Sequence, residues 1–201
     1  MNVYSYFEHL NDLALPVIDL WKETWSRHGW NPIVLGESDF KAWPSHAEFD
    51  EKVSKLPTVN GFEYERACYR RWGAMVVVGG GLLGDYDVIN FGFKPTDLPD
   101  CGDKCLMMEA APGLTLGSKR SFELACEVFM NYIPDASDVY QGKPHTSDMF
   151  ITDKLLNKGL FERRIIGRQF GDLNWEHSTL VHFPSLVTGP DKAGVIRKHM
   201  K

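Results

Sequence analysis

The chain has 201 residues, 43% of them hydrophobic and 24% charged, with a formal net charge of −5. That length and apolar content support one real core and predict a single domain over 1–201. The acidic balance leaves no electrostatic footprint for nucleic acid. No apolar run approaches the roughly 20 residues that span a bilayer. The start, Met1-Asn2-Val3-Tyr4-Ser5-Tyr6-Phe7-Glu8, lacks the basic and apolar stretches of a secretory signal, so a cytoplasmic protein is expected.

Residues 2–8 are rich in aromatic and β-branched types and predict a first strand. Leu13, Val17, Leu20, Trp21, Thr24 and Trp25 recur with helical period and predict a helix over 13–28, stopped by Gly29. Asn31-Pro32 leads into a short buried strand, Ile33-Val34-Leu35, followed by Glu37, Ser38 and Asp39. This β-α-β opening suits a nucleotide-binding α/β sheet, whose ligands bind at strand carboxyl ends. Glu8, Glu37 and Asp39 are therefore candidate nucleoside contacts, with capping or turn roles as the competing reading.

Ser45 is placed to cap a helix over 46–55 that Pro57 ends. Residues 61–77 predict another helix, with Phe62, Ala67, Trp72, Met75 and Val76 as candidate buried positions, although Val76–Val78 fits a strand equally well. Gly79-Gly80-Gly81 follows. No Lys-Ser or Lys-Thr follows it, and it is not GxGxxG between strand and helix, so it is neither phosphate loop. Its expected purpose is a tight turn into the next strand. Residues 82–84 and 86–91 are expected to be extended. Residues 94–103 read as loop. Two short strands, Cys105–Glu109 and Gly113–Leu116, flank a Pro-Gly turn, and Ser118 is placed to cap a helix to about Tyr132. A polar loop over 134–147, a helix from Asp148 to Leu156, and late strands at Ile165-Ile166 and Leu180–Phe183 complete the pattern. Cys101 and Cys105 have a spacing that admits zinc or a local disulfide. Cys68 and Cys126 lie too far off to complete a four-cysteine site, which favours reduced thiols.

The chemistry concentrates at Asp85-Tyr86-Asp87. On a strand, residues two apart share a side. Two carboxylates held together repel unless a positive charge lies between them, and a hard divalent cation is the usual solution. A cation with few protein ligands keeps positions for phosphate oxygens, which suits a nucleoside diphosphate. Solvated turn carboxylates are the alternative, but at the end of a buried apolar run polar groups need a reason. His182, between Val181 and Phe183, reads as a metal ligand or a satisfied core histidine, with His177 as its rival. An imidazole ligand suits Mn²⁺ better than Mg²⁺. Arg71 reads either as a donor-binding group or as a stem packed on its helix. Asp148 is at once a candidate site residue and a candidate helix cap. Trp175 is a candidate sugar-stacking ring, whereas the other five tryptophans read mostly as core or surface aromatics.

Taken together, Arg71-Trp72 on a helix, Gly79-Gly80-Gly81 and Asp85-Tyr86-Asp87-Val88 resemble the Asp-x-Asp region of GT-A glycosyltransferases. The likeness is greatest to the small sugar-binding-region group that includes the yeast-type initiating α-mannosyltransferases and the capsule and lipopolysaccharide sugar transferases. Leu180-Val181-His182-Phe183 resembles that family's late Val-His-Phe segment. Ser118 to Tyr132 resembles its helix after the acceptor-side strand, and His145-Thr146-Ser147-Asp148-Met149 resembles the segment before its last helix. The third glycine and the spacing of the arginine depart from the usual pattern, so Arg66 and Arg70 stand beside Arg71.

The resemblance implies a GT-A fold, a mixed and mainly parallel sheet flanked by helices. It implies transfer of a sugar from a nucleoside diphosphate sugar, with UDP favoured over GDP, to a hydroxyl acceptor, and, because the resembling families mostly retain anomeric configuration, it favours retention. It places Mn²⁺ or Mg²⁺ on Asp85, Asp87 and His182, with Asp85 shared between the metal and the donor, and sets Asp148 and Arg71 near the reacting carbon. The acceptor stays open among a glycan, a protein side chain, a small molecule and a hydroxylated base in viral DNA. The compact chain suits a viral or bacterial enzyme, and the acidic balance counts against DNA. Two rivals use the same Asp pair: a metal-dependent phosphohydrolase or nucleotidyltransferase, and a nucleotide-sugar binding protein without turnover.

Overall fold

The computed structural model describes residues 1–10, 12–109 and 112–200. The opening is β1 (Asn2–Tyr6), α1 (Leu15–Arg27) and β2 (Asn31–Leu35), the predicted β-α-β unit. Short α2 (Glu37–Lys41) and α3 (His46–Val53) lead to the long α4 (Phe62–Val77), then β3 (Gly80–Gly84) and β4 (Val88–Asn90). β5 (Cys105–Met107), β6 (Leu114–Ser118) and α5 (Lys119–Met130) follow, with Ser118 accepting from the Ser121 amide as the expected cap. The later elements are β7 (Val139–Tyr140), β8 (Lys143–Pro144), α6 (Asp148–Lys154), β9 (Phe161–Arg163), β10 (Arg168–Gln169), β11 (Leu180–His182), α7 (Ser185–Thr188) and α8 (Lys192–His199).

The main sheet has six strands in the order β2-β1-β3-β6-β5-β9. Pairing is parallel except where β6 runs antiparallel to β3 and β5. β10, β11 and β4 form a second small sheet, and β7 and β8 a third. Neighbouring residues on a strand point to opposite faces, and two cores result. Tyr4, Leu83 and Met107 pack with α4 and α5, whereas Val3, Leu82 and Leu106 pack with α1, β4 and β11. Trp72 on α4 is fully buried against Phe122, Phe129 and Phe161, with ring centroids 5.6, 5.2 and 6.2 Å away. On the other face, the Trp25 indole of α1 donates to the Val88 carbonyl at 2.9 Å and pins β4 to the helix. No helix of the described residues is long and apolar enough to cross a membrane.

Val76 and Val77 belong to α4, as the helix reading over 61–77 expects, and β3 starts at Gly80, within the glycine run. Two expectations need correction. Asp85 to Asp87 is not extended: the Val88 amide donates to the Asp85 carbonyl at 2.9 Å, so a turn rather than strand alternation brings the two carboxylates together. Ile165-Ile166 is not a strand. Phe161 supplies the apolar anchor in the core, so β9 forms there, and Ile165 lies exposed. The expected Pro112-Gly113 turn leads directly into β6, and residues 110 and 111 before it lie outside the described residues. All four cysteines are free, and Cys105 and Cys126 are core residues.

The glycine run makes the sharp exit from α4. Gly79, Gly80 and Gly81 have φ of +88°, +85° and +122°, where a Cβ is strained. A Cβ on Gly80 would also lie 2.5 Å from the Lys119 amide nitrogen, whereas one on Gly79 would meet nothing within 4 Å. Gly79→Ala should therefore cost only the left-handed strain, about 1–2 kcal/mol. Gly80→Ala should cost clearly more, because backbone must move as well. Urea unfolding of both variants checks this, and equal losses would refute the close approach.

Candidate functional site

The turn between β3 and β4 opens onto a cleft of about 260 Å³. Its walls are the end of β1, the Asp85–Asp87 turn, Ser185, Lys192 and one face of α4. Tyr64, Ala67, Cys68 and Arg71 form that face because they recur at helical spacing. A second hollow of about 400 Å³ adjoins it, sharing Tyr86, Ser185 and Lys192 and adding Leu13 and Val17 from the α1 side.

At the floor, Asp85, Asp87 and His182 each bring a ligand atom within 4.8 Å of the others. β11 pairs with β4, with His182 opposite Val88, so the small sheet carries the histidine to the carboxylates. The His182 Nε2 lies 3.3 Å from Asp87 Oδ1, and its Nδ1 lies 2.6 Å from Glu109 Oε1. Two cations complete the balance. Lys192, at the start of α8, donates to Asp87 Oδ2, and Arg71 donates to Asp85 Oδ1. Burial alone would raise the Asp87 pKa, but the hydrogen bonds and charges of His182 and Lys192 outweigh it and hold the carboxyl at about 2. Burial would likewise depress His182, yet its bonds to Asp87 and Glu109 raise it well above the ordinary imidazole value.

Of the three candidate arginines, Arg71 is the one brought to the Asp pair. Arg70 bonds Glu8 Oε2 at 3.1 Å and Asp50 Oδ1 at 2.8 Å, and Arg66 also bonds Asp50. Glu8 does line the cleft, as expected, but already holds Arg70 and the Tyr6 hydroxyl. Glu37 and Asp39 do not line it. Asp39 accepts from the Gly36 amide at 2.8 Å, the capping alternative, and Glu37 forms an exposed pair with Lys41 at 2.9 Å. Asp148 is buried behind Arg71. Its Oδ2 accepts from Arg71 Nε at 3.0 Å and from the Trp72 indole at 2.9 Å, and Oδ1 accepts from the Met149 amide at 2.7 Å. The cap of α6 is Ser147, which accepts from the Phe150 amide. His177 is exposed and stands apart from the cluster. Trp175 packs edge-on to Phe170 and His199, at 4.7 and 4.9 Å, and does not line the cleft.

Sequence reasoning missed Lys192 and Glu109. Asp191-Lys192 carried one usable signal, since Asp191 caps α8 by accepting from the Gly194 amide. Nothing local in Met107-Met108-Glu109 marks the carboxylate that reaches His182 across 73 residues of chain.

No family model matches the chain, and no curated protein matches it in sequence. Among solved structures, a glycosyltransferase involved in the glycosylation of the major capsid of PBCV-1 matches with a TM-score of 0.54, covering 98% of both chains at 14% identity. At that identity the likeness shows the fold alone: a mixed α/β architecture, with a central, mostly parallel sheet flanked by helices, shared with that glycosyltransferase.

Removing a partner from a buried ion pair leaves uncompensated charge. Asp148→Ala should therefore destabilise the protein by about 3–5 kcal/mol, whereas the exposed Glu37→Ala should change stability little. Chemical unfolding compares the two, and a small loss at Asp148 would refute the clamp on Arg71. Glu65 offers a pH test. It is buried on α4, with Oε1 unpartnered among the described residues, while Oε2 accepts from Asn60 at 2.8 Å. Burial pushes its pKa up to about 7. The folded state thus holds a proton that the unfolded chain has released, and stability falls as pH rises from the unfolded pKa through 7. The stability of Glu65→Gln relative to wild type should increase from pH 5 to pH 8, on the order of 2 kcal/mol. A pH-independent difference would contradict this.

Proposed function

We propose that this protein is a metal-dependent glycosyltransferase that moves a sugar from a nucleoside diphosphate sugar to a hydroxyl acceptor. The observation that carries the reading is the convergence of Asp85, Asp87 and His182 at the floor of a cleft, in a chain with a glycosyltransferase fold. The donor set fits a divalent cation. Two carboxylates and an imidazole suit Mn²⁺, with Mg²⁺ as the alternative. Room is kept at the cluster, because a Cβ on Gly113 would lie 2.8 Å from Glu109 Oε2 and 3.2 Å from Asp85 Oδ2. When bound, the cation supplies positive charge against the negative charge that grows on the leaving diphosphate.

The protein's own groups do the rest. Lys192 and Arg71 line the cleft as cations beside the Asp pair, placed to take phosphate oxygens and hold the diphosphate in register. Asp148 acts on the donor through Arg71, as a positioning residue, because its own carboxylate is enclosed. The Phe7 and Tyr86 rings meet edge-to-face at 5.9 Å on the cleft wall and offer apolar surface to the nucleoside. Glu8 stands at the same end of β1.

The three carboxylates lining the cleft, Glu8, Asp85 and Asp87, are each paired with a cationic side chain. None is free to activate an acceptor hydroxyl as an inverting base, which supports retention of configuration. UDP-sugars are the first donors to test, before GDP-sugars. The neighbour's part in capsid glycosylation makes a protein-borne glycan the first acceptor class to test.

The experiment is a panel of nucleotide sugars with Mn²⁺, read by released nucleotide and by product anomer. One UDP-sugar should turn over, with slow hydrolysis when no acceptor is present, and excess chelator should abolish release. Asp87→Asn should keep the fold and weaken Mn²⁺ binding by about tenfold or more. Full turnover in chelator, or no binding of any nucleoside diphosphate sugar, would defeat the proposal. Release of inorganic phosphate in place of nucleoside diphosphate would favour a phosphohydrolase.

A further inference from the structure

We propose that Glu109 is a positioning residue that holds His182 in the one tautomer able to ligate a cation, a reading that rests on the cation site proposed above. The imidazole sits between two carboxylates, one at each nitrogen. Nδ1 faces Glu109 Oε1 at 2.6 Å, and Nε2 faces Asp87 Oδ1 at 3.3 Å. A neutral imidazole donates from one nitrogen and offers a lone pair at the other. Glu109 has no proton to give when ionised, so Nδ1–H is the donor to it, and a cation arriving at the Asp85–Asp87 turn would take the Nε2 position that faces Asp87 in its absence. A carboxylate behind a ligating histidine fixes the ring's orientation and raises its basicity.

The surroundings fit this role and not that of a group facing substrate. Glu109 follows β5 on the main sheet, is 2% exposed, and lines none of the hollows described above. It therefore joins the main sheet to the small sheet that carries His182. Gln169 on β10, opposite His182 in the parallel register, donates to the same Oε1 at 3.3 Å and holds the carboxylate in place. Gly167 passes close beneath, where a Cβ would lie 3.8 Å from Glu109 Cγ. Oε2 is buried without a partner among the described residues. Gly113 leaves it room, and a side chain there would press on Glu109 and Asp85 together.

The test is a double-mutant cycle on Mn²⁺ affinity, read from the electron paramagnetic resonance signal of free Mn²⁺, with a thermal melt of each variant. Glu109→Ala should weaken Mn²⁺ binding by about 10- to 100-fold in the folded protein. In a His182→Ala background the same change should cost less than about twofold, because Glu109 acts through the ring. An undiminished loss in that background would mean that Oε2 ligates directly and would overturn the proposal, as would Mn²⁺ affinity unchanged in Glu109→Ala. If wild type binds no Mn²⁺, the cation reading fails and this one with it. If wild type binds and Glu109→Ala binds equally well, only this one fails. Should Glu109→Ala not fold, ¹⁵N-histidine NMR of the wild type with diamagnetic Zn²⁺ decides. The proton should be on Nδ1 of His182, and a proton on Nε2 would overturn the assignment.

Discussion

The structure depends on balancing negative charge at one buried point. Asp85, Asp87 and Glu109 come together around His182, and none of them is freely hydrated. Gathering carboxylates in a low-dielectric site is unfavourable unless cations and hydrogen-bond donors come with them. The chain brings these from remote elements: Arg71 from α4, His182 from β11 and Lys192 from α8. Much of the tertiary arrangement follows. α4 must present Arg71 to the cleft and Trp72 to the core, so Asp148 receives both on one oxygen. β11 must pair with β4, and the C-terminal helix must return to the floor of the cleft.

The same balance connects the fold to the proposed chemistry. Arg71 and Lys192 now neutralise the Asp pair, and both also line the cleft. A diphosphate arriving with a cation would exchange partners with these groups and need not create a charged site from an uncharged one. The cationic side chains are already oriented, which limits the reorganisation required when negative charge develops on a leaving group. The sheet serves this by dividing its labour. One face of β1 and β3 builds the core with α4, and the other holds α1 and, through the Trp25 indole, β4.

What was legible in the sequence was local and strongly patterned. The β1-α1-β2 unit has a clean helical period between two β-branched runs, α4 has its apolar positions, and α5 has its Ser118 cap. The spacing of the Asp pair marks it in the sequence, but a turn and not strand alternation unites the two carboxylates. The family resemblance points to His182 over His177, and His182 lies with the Asp pair while His177 is exposed. What was illegible was long-range. Lys192 meets Asp87 across 105 residues, and Glu109 meets His182 across 73. The short strand β9 and the last two helices carry too few periodic positions to stand out, and one buried phenylalanine, Phe161, decides where β9 forms. Asp39 shows the converse. Its place after a strand suggested a ligand, but a helix start so close by uses the carboxylate as a cap.

The most direct test of the central claim is a crystal structure of the protein soaked with Mn²⁺ and UDP, with anomalous scattering used to locate the metal. One strong Mn²⁺ peak is expected at Asp87, Asp85 and His182, with the diphosphate on it and Lys192 turned toward a phosphate oxygen. A metal peak elsewhere, or UDP bound away from the Asp85–Asp87 turn, would contradict it.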